Sequence, residues 1–391
     1  MTDRPDQSLR LLVVSGTRAD FGLWLPILHE ARRRGDRFEA RLLVTAMHLD
    51  PRFGATVDDV RRSGFAIAAE VACTPHGDSR AEMAAALGQA LEAMAPIVAA
   101  EVPDWLLVLG DRGEQLAAAL AALHAGVPIA HLHGGEITRG AVDDALRDLV
   151  TRLAHLHLAA TEAAAGRLGR MGEETWRIHR VGAPGLDHLR DESRGDLVSL
   201  RAALGLPADG PYLLVIQHPT TVGKERGVAD LEETLAAVAG SGLPAIAVFP
   251  NADAGGRAMI DRLGRAGGLR TVPSLPRGDF ATLLAGAAAL VGNSSSGLIE
   301  APLLRVPAVN VGTRQAGRTR GDNVVDVPAD AAAITAALER ALDPAFRRGL
   351  SGVSPYGDGS AAPRILDLLA EMRGHPRLMA KQTAEEAPTD A

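Results

Sequence analysis

Short runs of apolar residues alternate with longer amphipathic stretches along most of the chain. Each apolar run is too short for a buried helix, and a helix-like spacing of apolar residues follows most of the runs. Strands that are buried on both faces of a parallel sheet show such continuous apolar runs. The pattern therefore predicts an α/β fold built on doubly wound parallel sheets. The predicted strands span residues 11–14, 39–44, 106–109, 127–131, 156–159, 177–181, 212–217, 245–249, 288–291 and 308–311.

The alternation is interrupted by a charged helical stretch at residues 190–206 and then begins again. This restart predicts two Rossmann-like domains, residues 1–188 and 189–359, facing each other across a cleft in a GT-B-like arrangement. A last predicted helix at about residues 360–373 returns to the first domain. The tail, residues 376–391, is polar and poor in bulky apolar residues, so we expect it to be disordered.

Composition and charge narrow the class of protein. The chain has 41 basic and 48 acidic residues and a formal net charge of -7, which argues against a general nucleic-acid-binding protein. Its single cysteine, Cys73, excludes an internal disulfide and a metal cluster built from cysteines. We expect no membrane span, because no apolar run approaches the roughly 20 residues that a span needs. The first residues lack the apolar core of a signal peptide, so we expect a cytoplasmic protein.

Ionisable residues follow two successive predicted strands in the first half. Asp111 comes after the strand at 106–109, and His133, Glu136 and Asp143 come after the strand at 127–131. The carboxyl ends of parallel strands border the ligand crevice of an open sheet, so these side chains are predicted to form an active site. The structural alternative is that Asp111 caps a helix and that Asp143 only complements a helix dipole.

The second half carries residues suited to a phosphate. The segment 292–297, GNSSSG, follows a predicted strand and opens a predicted helix, where hydroxyls and free N–H groups can hold a phosphate. Glu300, near the start of the predicted helix, either accepts hydrogen bonds from ribose hydroxyls or only balances the helix dipole. Arg314 lies in an arginine-rich loop that either grips a diphosphate or is solvated, and Arg18 follows the first strand of the first domain.

These segments together resemble a known family. The resemblance extends in order from about residue 10 to about residue 372, and it lies in the blocks SGTRADFG, GDRGE, HLHGGEITRGAVDDALRD, QHPTT, FPNADAGG, GNSSSGLIE, NVGTRQAGRTRGDNV and YGDGSAAPRIL. In combination they are similar to the hydrolysing UDP-N-acetylglucosamine 2-epimerases, which include bacterial sialic-acid and legionaminic-acid pathway enzymes and the epimerase half of the animal bifunctional epimerase/kinase.

The resemblance implies a reaction in two halves. The C2 proton is removed and UDP is expelled to give a 2-acetamidoglucal, and water then adds at C1 while a proton returns to C2 from the other face. The reaction needs no cofactor, neither a metal nor a nicotinamide. It needs acids and bases on both faces of the sugar and cations at the departing diphosphate. The resemblance further implies a homodimer or homotetramer whose ligand is a UDP-sugar.

The family's functional positions fall on particular residues of this chain. The predicted proton-transfer residues are Asp111, His133, Glu136, Asp143, Asp187 and His218. The predicted UDP-binding residues are Arg18, Arg112, His218, Asn251, Ser294, Ser295, Ser296, Glu300 and Arg314. Where several relatives read HIEGGE, this chain reads HLHGGE. It therefore has His133 at the place of a catalytic glutamate, and either His133 or Glu136 carries the proton.

The expected reaction converts UDP-N-acetylglucosamine and water to UDP and N-acetylmannosamine. The alternative substrate is UDP-2,4-diacetamido-2,4,6-trideoxyglucose of the legionaminic-acid route, which differs at C4 and C6. Two further hypotheses are a glycosyltransferase of GT-B architecture and a catalytically silent sensor of nucleotide sugars. The acid and base residues of the first half favour the epimerase over both.

Overall fold

The computed structural model describes residues 8–54, 56–75, 80–137, 142–219, 227–250 and 256–383. Of the predicted site residues, Asn251 lies outside the described residues, and so does the side chain of Asp143. The chain divides into two compact units. The first comprises the described residues of 1–136, 142–187 and 359–391, and the second those of 137–141 and 188–358.

The first unit is a parallel sheet with helices on both faces. Its strands are β1 (Leu9–Ser15), β2 (Phe38–Thr45), β3 (Ala66–Val71), β4 (Trp105–Leu109), β5 (Ile129–Leu132), β6 (Leu156–Ala159) and β7 (Ile178–Arg180). Its helices are α1 (Arg18–Arg33), α2 (Val57–Arg62), α3 (Arg80–Glu101), α4 (Gly113–Ala125), α5 (Val142–Leu153) and α6 (Glu162–Arg170). The strand order is β3-β2-β1-β4-β5-β6-β7. Since the order reverses between β1 and β4, the crevice for a ligand is expected at the carboxyl ends of these two strands.

The apolar runs become strands because both of their faces are covered. All five residues of β4 are buried, and apolar clusters lie on each side of the sheet. Local signals set the helix positions: Thr17 caps α1 by accepting the N–H of Asp20, and Thr161 caps α6 by accepting the N–H of Ala164. The indole of Trp24 donates to the Val14 carbonyl at 2.8 Å and so fixes α1 against β1.

The second unit repeats the plan with a smaller parallel sheet. Its strands are β8 (Leu213–Ile216), β9 (Ala245–Val248), β10 (Leu269–Val272), β11 (Ala289–Gly292), β12 (Ala308–Val311) and β13 (Val324–Val327). Its helices are α7 (Leu189–Glu192), α8 (Leu197–Ala203), α9 (Gly227–Gly240), α10 (Gly256–Gly264), α11 (Arg277–Gly286), α12 (Glu300–Leu303), α13 (Ala331–Leu342) and α14 (Pro344–Gly349). The strand order is β10-β9-β8-β11-β12-β13, and the reversal falls between β8 and β11. The predicted pair of doubly wound sheets is confirmed.

The last helix, α15 (Ala361–Glu371), belongs to the first unit although it follows the second in sequence. Its apolar face, which includes Ile365 and Leu369, is buried in the same cluster as Trp24. The Trp105 indole donates to the Leu369 carbonyl at 3.1 Å. The helix is thus part of the core of the first unit.

Two expectations about the chain need correction. The predicted disordered tail is wrong for residues 377–383, because Leu378 is buried in the core and Lys381 bonds main-chain carbonyls near the end of α5. The premise that no apolar stretch approaches the length of a membrane span also needs correction, by length and composition alone. Among the described residues, Ala81–Glu101 in α3 is long and apolar enough to cross a membrane. Alanines give this helix its apolar character, and its Met94 is buried in the apolar cluster on one face of the sheet.

Candidate active site

Asp111 follows β4 and its carboxylate is ion-paired with the guanidinium of Arg147 on α5. The Arg147 side chain is only 3% exposed. The guanidinium also bonds the Asp144 carboxylate at 2.7 Å and donates to the main-chain carbonyl of Glu136 at 2.8 Å. One buried cation therefore joins the ends of β4 and β5 to α5, and it fixes the orientation of the Asp111 carboxylate.

The turn after β5 brings His133 and Glu136 beside this ion pair. His133 has a positive φ of 61°, and Gly135 has a φ of 77°. A Cβ on residue 135 would lie 2.4 Å from the Ala164 carbonyl oxygen, so only glycine fits between the turn and α6. Glu136 is buried by this close packing. Both candidates for the second proton-transfer group thus lie in one tight turn.

His131 lies in β5 and bonds the loop that carries Asp111. Its Nε2 lies 2.8 Å from the Gly110 carbonyl oxygen and its Nδ1 lies 3.2 Å from the Thr151 hydroxyl of α5. Nε2 therefore carries the proton and donates, and Nδ1 accepts. Burial lowers the pKa of His131 to about 3, which keeps the ring neutral.

Three other histidines of the first unit have structural contacts. His48, just after β2, is buried between the hydroxyls of Ser15 at 3.0 Å and Thr56 at 2.8 Å. His155 Nδ1 accepts the Ile129 N–H at 3.1 Å, and burial lowers its pKa to about 4. His157 bonds the buried Glu173 carboxylate at 2.9 Å. Their partners are parts of the core.

Asp187, a predicted proton-transfer residue, has a structural task. It is 2% exposed, and its two carboxylate oxygens accept the N–H groups of Ala361 at 2.8 Å and Ala362 at 2.6 Å. These are the first residues of α15, whose N–H groups have no partner within the helix. Asp187 therefore fixes the start of the returning helix, a role that its sequence position did not reveal.

Glu114 was not singled out from the sequence, although it lies in the GDRGE block. Its Oε1 lies 2.1 Å from the position that a Cβ at residue 16 would occupy, so the carboxyl rests on the backbone at the end of β1. Burial raises the pKa of Glu114 and the Asp20 carboxylate raises it further, while Arg112 opposes the shift. A carboxyl whose pKa is raised therefore lies at the reversal point of the first sheet.

In the second unit, Asn293 organises the strand ends. Its side-chain Oδ1 accepts the His218 N–H at 2.7 Å, and its Nδ2 donates to the His218 carbonyl at 2.9 Å. Its own carbonyl accepts Gln315 Nε2 at 2.8 Å and Arg314 at 3.3 Å. The carboxyl ends of β8, β11 and β12 are thus joined through one residue that sequence reasoning passed over.

The serine turn differs from the predicted phosphate-binding helix. Ser294 accepts the Ser296 N–H at 3.3 Å and caps a single 3-10 turn. The helix that follows, α12, has four residues, so it has little dipole to offer an anion. The prediction of a helix dipole at this turn is therefore wrong. The groups that the turn can offer to a phosphate are its hydroxyls and N–H groups. Ser295 and Ser296 are half-buried.

Glu300 begins α12 and its Oε2 is buried without a hydrogen-bond partner among the described residues. Burial raises its pKa, and Arg277 opposes that shift. A buried acceptor of this kind costs free energy unless a donor reaches it. The position is consistent with the predicted acceptance of ribose hydroxyls.

The remaining predicted residues are more exposed. Arg18 lies 3.9 Å from Asp59 in an exposed ion pair, and Arg112 Nη1 lies 3.9 Å from Met47 Sδ. Arg314 is half-buried beside the serine turn. Within each unit, the predicted residues that the structure describes therefore lie at one set of strand ends. Among the described residues, no group of three or more His, Cys, Asp and Glu side chains has the arrangement of a metal site.

A family model described as UDP-N-acetylglucosamine 2-epimerase matches residues 30–370. The UDP-N,N'-diacetylbacillosamine 2-epimerase (hydrolyzing) of Legionella pneumophila is 35% identical over 378 residues, which are 96% of this chain and 99% of that protein. The UDP-N-acetylglucosamine 2-epimerase of Neisseria meningitidis is 32% identical over 85% of this chain and 87% of its own length.

Solved structures share the fold. The UDP-GlcNAc 2-epimerase from Neisseria meningitidis, solved with bound UDP-GlcNAc, aligns with a TM-score of 0.78 and 18% identity over 93% of this chain and all of that one. A UDP-GlcNAc 2-epimerase from Methanocaldococcus jannaschii in complex with UDP-GlcNAc and UDP aligns with a TM-score of 0.74 and 20% identity over 93% of this chain and all of that one. At these identities the likeness establishes the architecture.

Proposed function

Since the chain belongs to the UDP-N-acetylglucosamine 2-epimerase family, we propose which sugar it converts and which residues act on it. The chain is a hydrolysing UDP-sugar 2-epimerase. The proposed substrate is UDP-N,N'-diacetylbacillosamine, the diacetamido sugar, because the relative that acts on it by name matches 96% of this chain at 35% identity. The products are UDP and the free 2-epimeric sugar.

UDP-N-acetylglucosamine is the second candidate substrate. The relative from Neisseria meningitidis, named for that substrate, is 32% identical, but it matches 85% of this chain. The order of the two candidates is therefore the reverse of that expected from motifs alone. The glycosyltransferase and sensor hypotheses lose their support, because both of these relatives are named as epimerases.

The proposed chemistry begins with elimination. A base takes the proton from C2 while the C1–O bond to UDP breaks, which leaves a C1=C2 double bond. Water then adds its oxygen to C1, and a proton is delivered to C2 from the opposite face. The sum is one UDP-sugar and one water converted to UDP and an epimerised sugar, without any change of oxidation state.

The first unit supplies the proposed proton-transfer groups. Asp111 is held by the buried guanidinium of Arg147, and His133 and Glu136 lie in the adjoining turn. A fixed carboxylate and a second ionisable group meet the need for proton transfer on two faces of a sugar ring. Asp143 keeps its proposed role from the family motif, whereas Asp187 is proposed to hold α15.

The second unit supplies the proposed UDP-binding groups. His218 and Arg314 are held at the serine turn by Asn293, so a diphosphate there meets a guanidinium, an imidazole and several hydroxyls. Charge-assisted hydrogen bonds of this kind stabilise the negative charge that grows on the leaving diphosphate. Glu300 is proposed to accept the ribose hydroxyls.

The experiment compares the two UDP-sugars at equal concentrations and follows UDP release and the liberated sugar. The proposal predicts a kcat/KM for the diacetamido substrate at least tenfold above that for UDP-N-acetylglucosamine, which corresponds to about 1.4 kcal/mol of transition-state binding. A higher kcat/KM for UDP-N-acetylglucosamine would transfer the assignment to the second candidate. Release of UDP from neither sugar would refute both.

A further inference from the structure

The segment Arg377–Thr383, which follows α15, is built into the first unit. Leu378 is 1% exposed, and its carbonyl accepts the buried Arg177 guanidinium at 2.8 Å. The Arg377 carbonyl accepts the same guanidinium at 2.9 Å. Thr383 pairs with Glu173 in an antiparallel β-bridge. We call this the C-terminal segment, and its contacts fix it over the end of α5 and the start of β6.

Lys381 in this segment caps α5. Its ammonium donates to the carbonyl oxygens of Thr151 at 2.8 Å, Arg152 at 2.9 Å and Ala154 at 2.7 Å. It also forms an ion pair with Glu173 at 2.7 Å. The last carbonyls of a helix have no partner within the helix, and they favour a cation. Only Ala154 and His155 separate α5 from the buried strand β6, so there is little room for another cap.

The helix that Lys381 caps is the one that orients Asp111. Arg147 on α5 forms the ion pair with Asp111, and Thr151 on the same helix bonds His131, which in turn donates to the Gly110 carbonyl. Two routes of direct contact therefore lead from α5 to the Asp111 loop. A shift or a local unfolding of α5 would therefore disturb both of these contacts with the Asp111 loop.

We propose that Lys381 is a positioning residue for the epimerase reaction, which acts by holding α5 and thereby the Arg147–Asp111 ion pair. The inference rests on the proposed role of Asp111. The ammonium offers three donors to three carbonyls and a carboxylate, and few other side chains could make the same set of contacts. Burial lowers the pKa of Lys381, and the contact with Glu173 opposes this shift.

The test compares two substitutions in the full-length enzyme. Lys381→Met keeps the apolar stem of the side chain and removes the cap. Arg152→Met is the matched control, because Arg152 bonds the same Glu173 at 3.0 Å and the main-chain carbonyl of Met171, and neither of these contacts caps α5. UDP affinity, kcat, KM and amide hydrogen exchange of peptides spanning 142–153 and 106–116 are measured for each.

We expect Lys381→Met to lower kcat by roughly tenfold to a hundredfold, the loss that a shift on the order of 1 Å in a reacting group brings. KM and UDP affinity should stay within about threefold, and exchange should quicken in the two peptides. Arg152→Met should leave kcat within about twofold and exchange unchanged. A purely structural role would instead lower the active fraction and UDP binding together.

Besides that joint loss of active fraction and UDP binding, three outcomes would overturn the inference: unchanged exchange in α5 after Lys381→Met, faster exchange with unchanged kcat, or an equal loss of kcat in Arg152→Met. Failure of the proposed function gives a different pattern. If Asp111→Asn retained turnover while Lys381→Met still lowered kcat and quickened exchange in α5, the role of Asp111 would be wrong and the cap would stand.

Discussion

Replacement of Arg147 tests the arrangement on which the first unit's site depends. Arg147→Met removes a guanidinium that is 3% exposed and leaves the Asp111 and Asp144 carboxylates, each 25% exposed, side by side. It also leaves the Glu136 carbonyl with one donor fewer. Loss of one partner of a buried ion pair costs about 3–5 kcal/mol. Because the two carboxylates are partly solvated, we expect the lower end, about 3 kcal/mol.

The assay follows urea unfolding by tryptophan fluorescence. All three tryptophans of the chain, Trp24, Trp105 and Trp176, lie in the first unit, so the signal reports that unit alone. Arg152→Met is the control: Glu173 keeps His157 and Lys381, and we expect a loss of about 1 kcal/mol or less. A loss below 1 kcal/mol for Arg147→Met would refute the account, since the guanidinium would then not hold the two carboxylates.

Three further predictions concern the turn after β5, acid stability and the nucleotide. Gly135→Ala should destabilise the first unit by about 3 kcal/mol in fluorescence-monitored unfolding, because residue 135 has a positive φ and an added Cβ meets a main-chain oxygen. The control is Gly169→Ala in α6, which has open space around it and should be neutral or stabilising in the same assay. The pKa of His131 is lowered to about 3 and that of His155 to about 4, so the unfolded chain binds more protons below pH 6.5. Stability should therefore fall as the pH is lowered from 6.5 to 4, by up to about 1.4 kcal/mol per pH unit for each histidine, and His131→Asn should flatten the fall. Arg314→Ala should weaken UDP binding by about 1.5–3 kcal/mol in calorimetry, and unchanged affinity would make the loop a solvated one.

The interior strands were predictable because sequence and burial agree there. Residues of β4 and β12 are buried without exception, and a continuous apolar run marks each. The strands β3, β10 and β13 were not predicted. All three are edge strands, and half-exposed and charged residues such as Glu70 and Asp326 break the apolar run. An edge strand needs only one covered side, so its sequence carries a weaker signal.

The sequence could place Asp111 and His218 directly after buried strands, and their roles in the site stay predictions. The sequence could not assign Asp187, because its partners, the N–H groups of α15, lie more than 170 positions away. Lys381 and the end of α5 are likewise far apart in sequence, by 227 positions, and Asn293 and His218 are 75 positions apart. Polar residues whose partners are main-chain groups of distant elements have no local spacing pattern. For these residues, only the folded structure distinguishes a structural role from a catalytic one.

The central claim is that the C2–H bond breaks before the sugar is released. The most direct measurement is proton NMR of the reaction in heavy water, without added metal or nicotinamide, with each of the two UDP-sugars. The account predicts UDP and a free 2-epimeric sugar that carries deuterium at C2, and no turnover by Asp111→Asn. A released sugar of unchanged configuration with hydrogen still at C2 would show simple hydrolysis and would contradict the account.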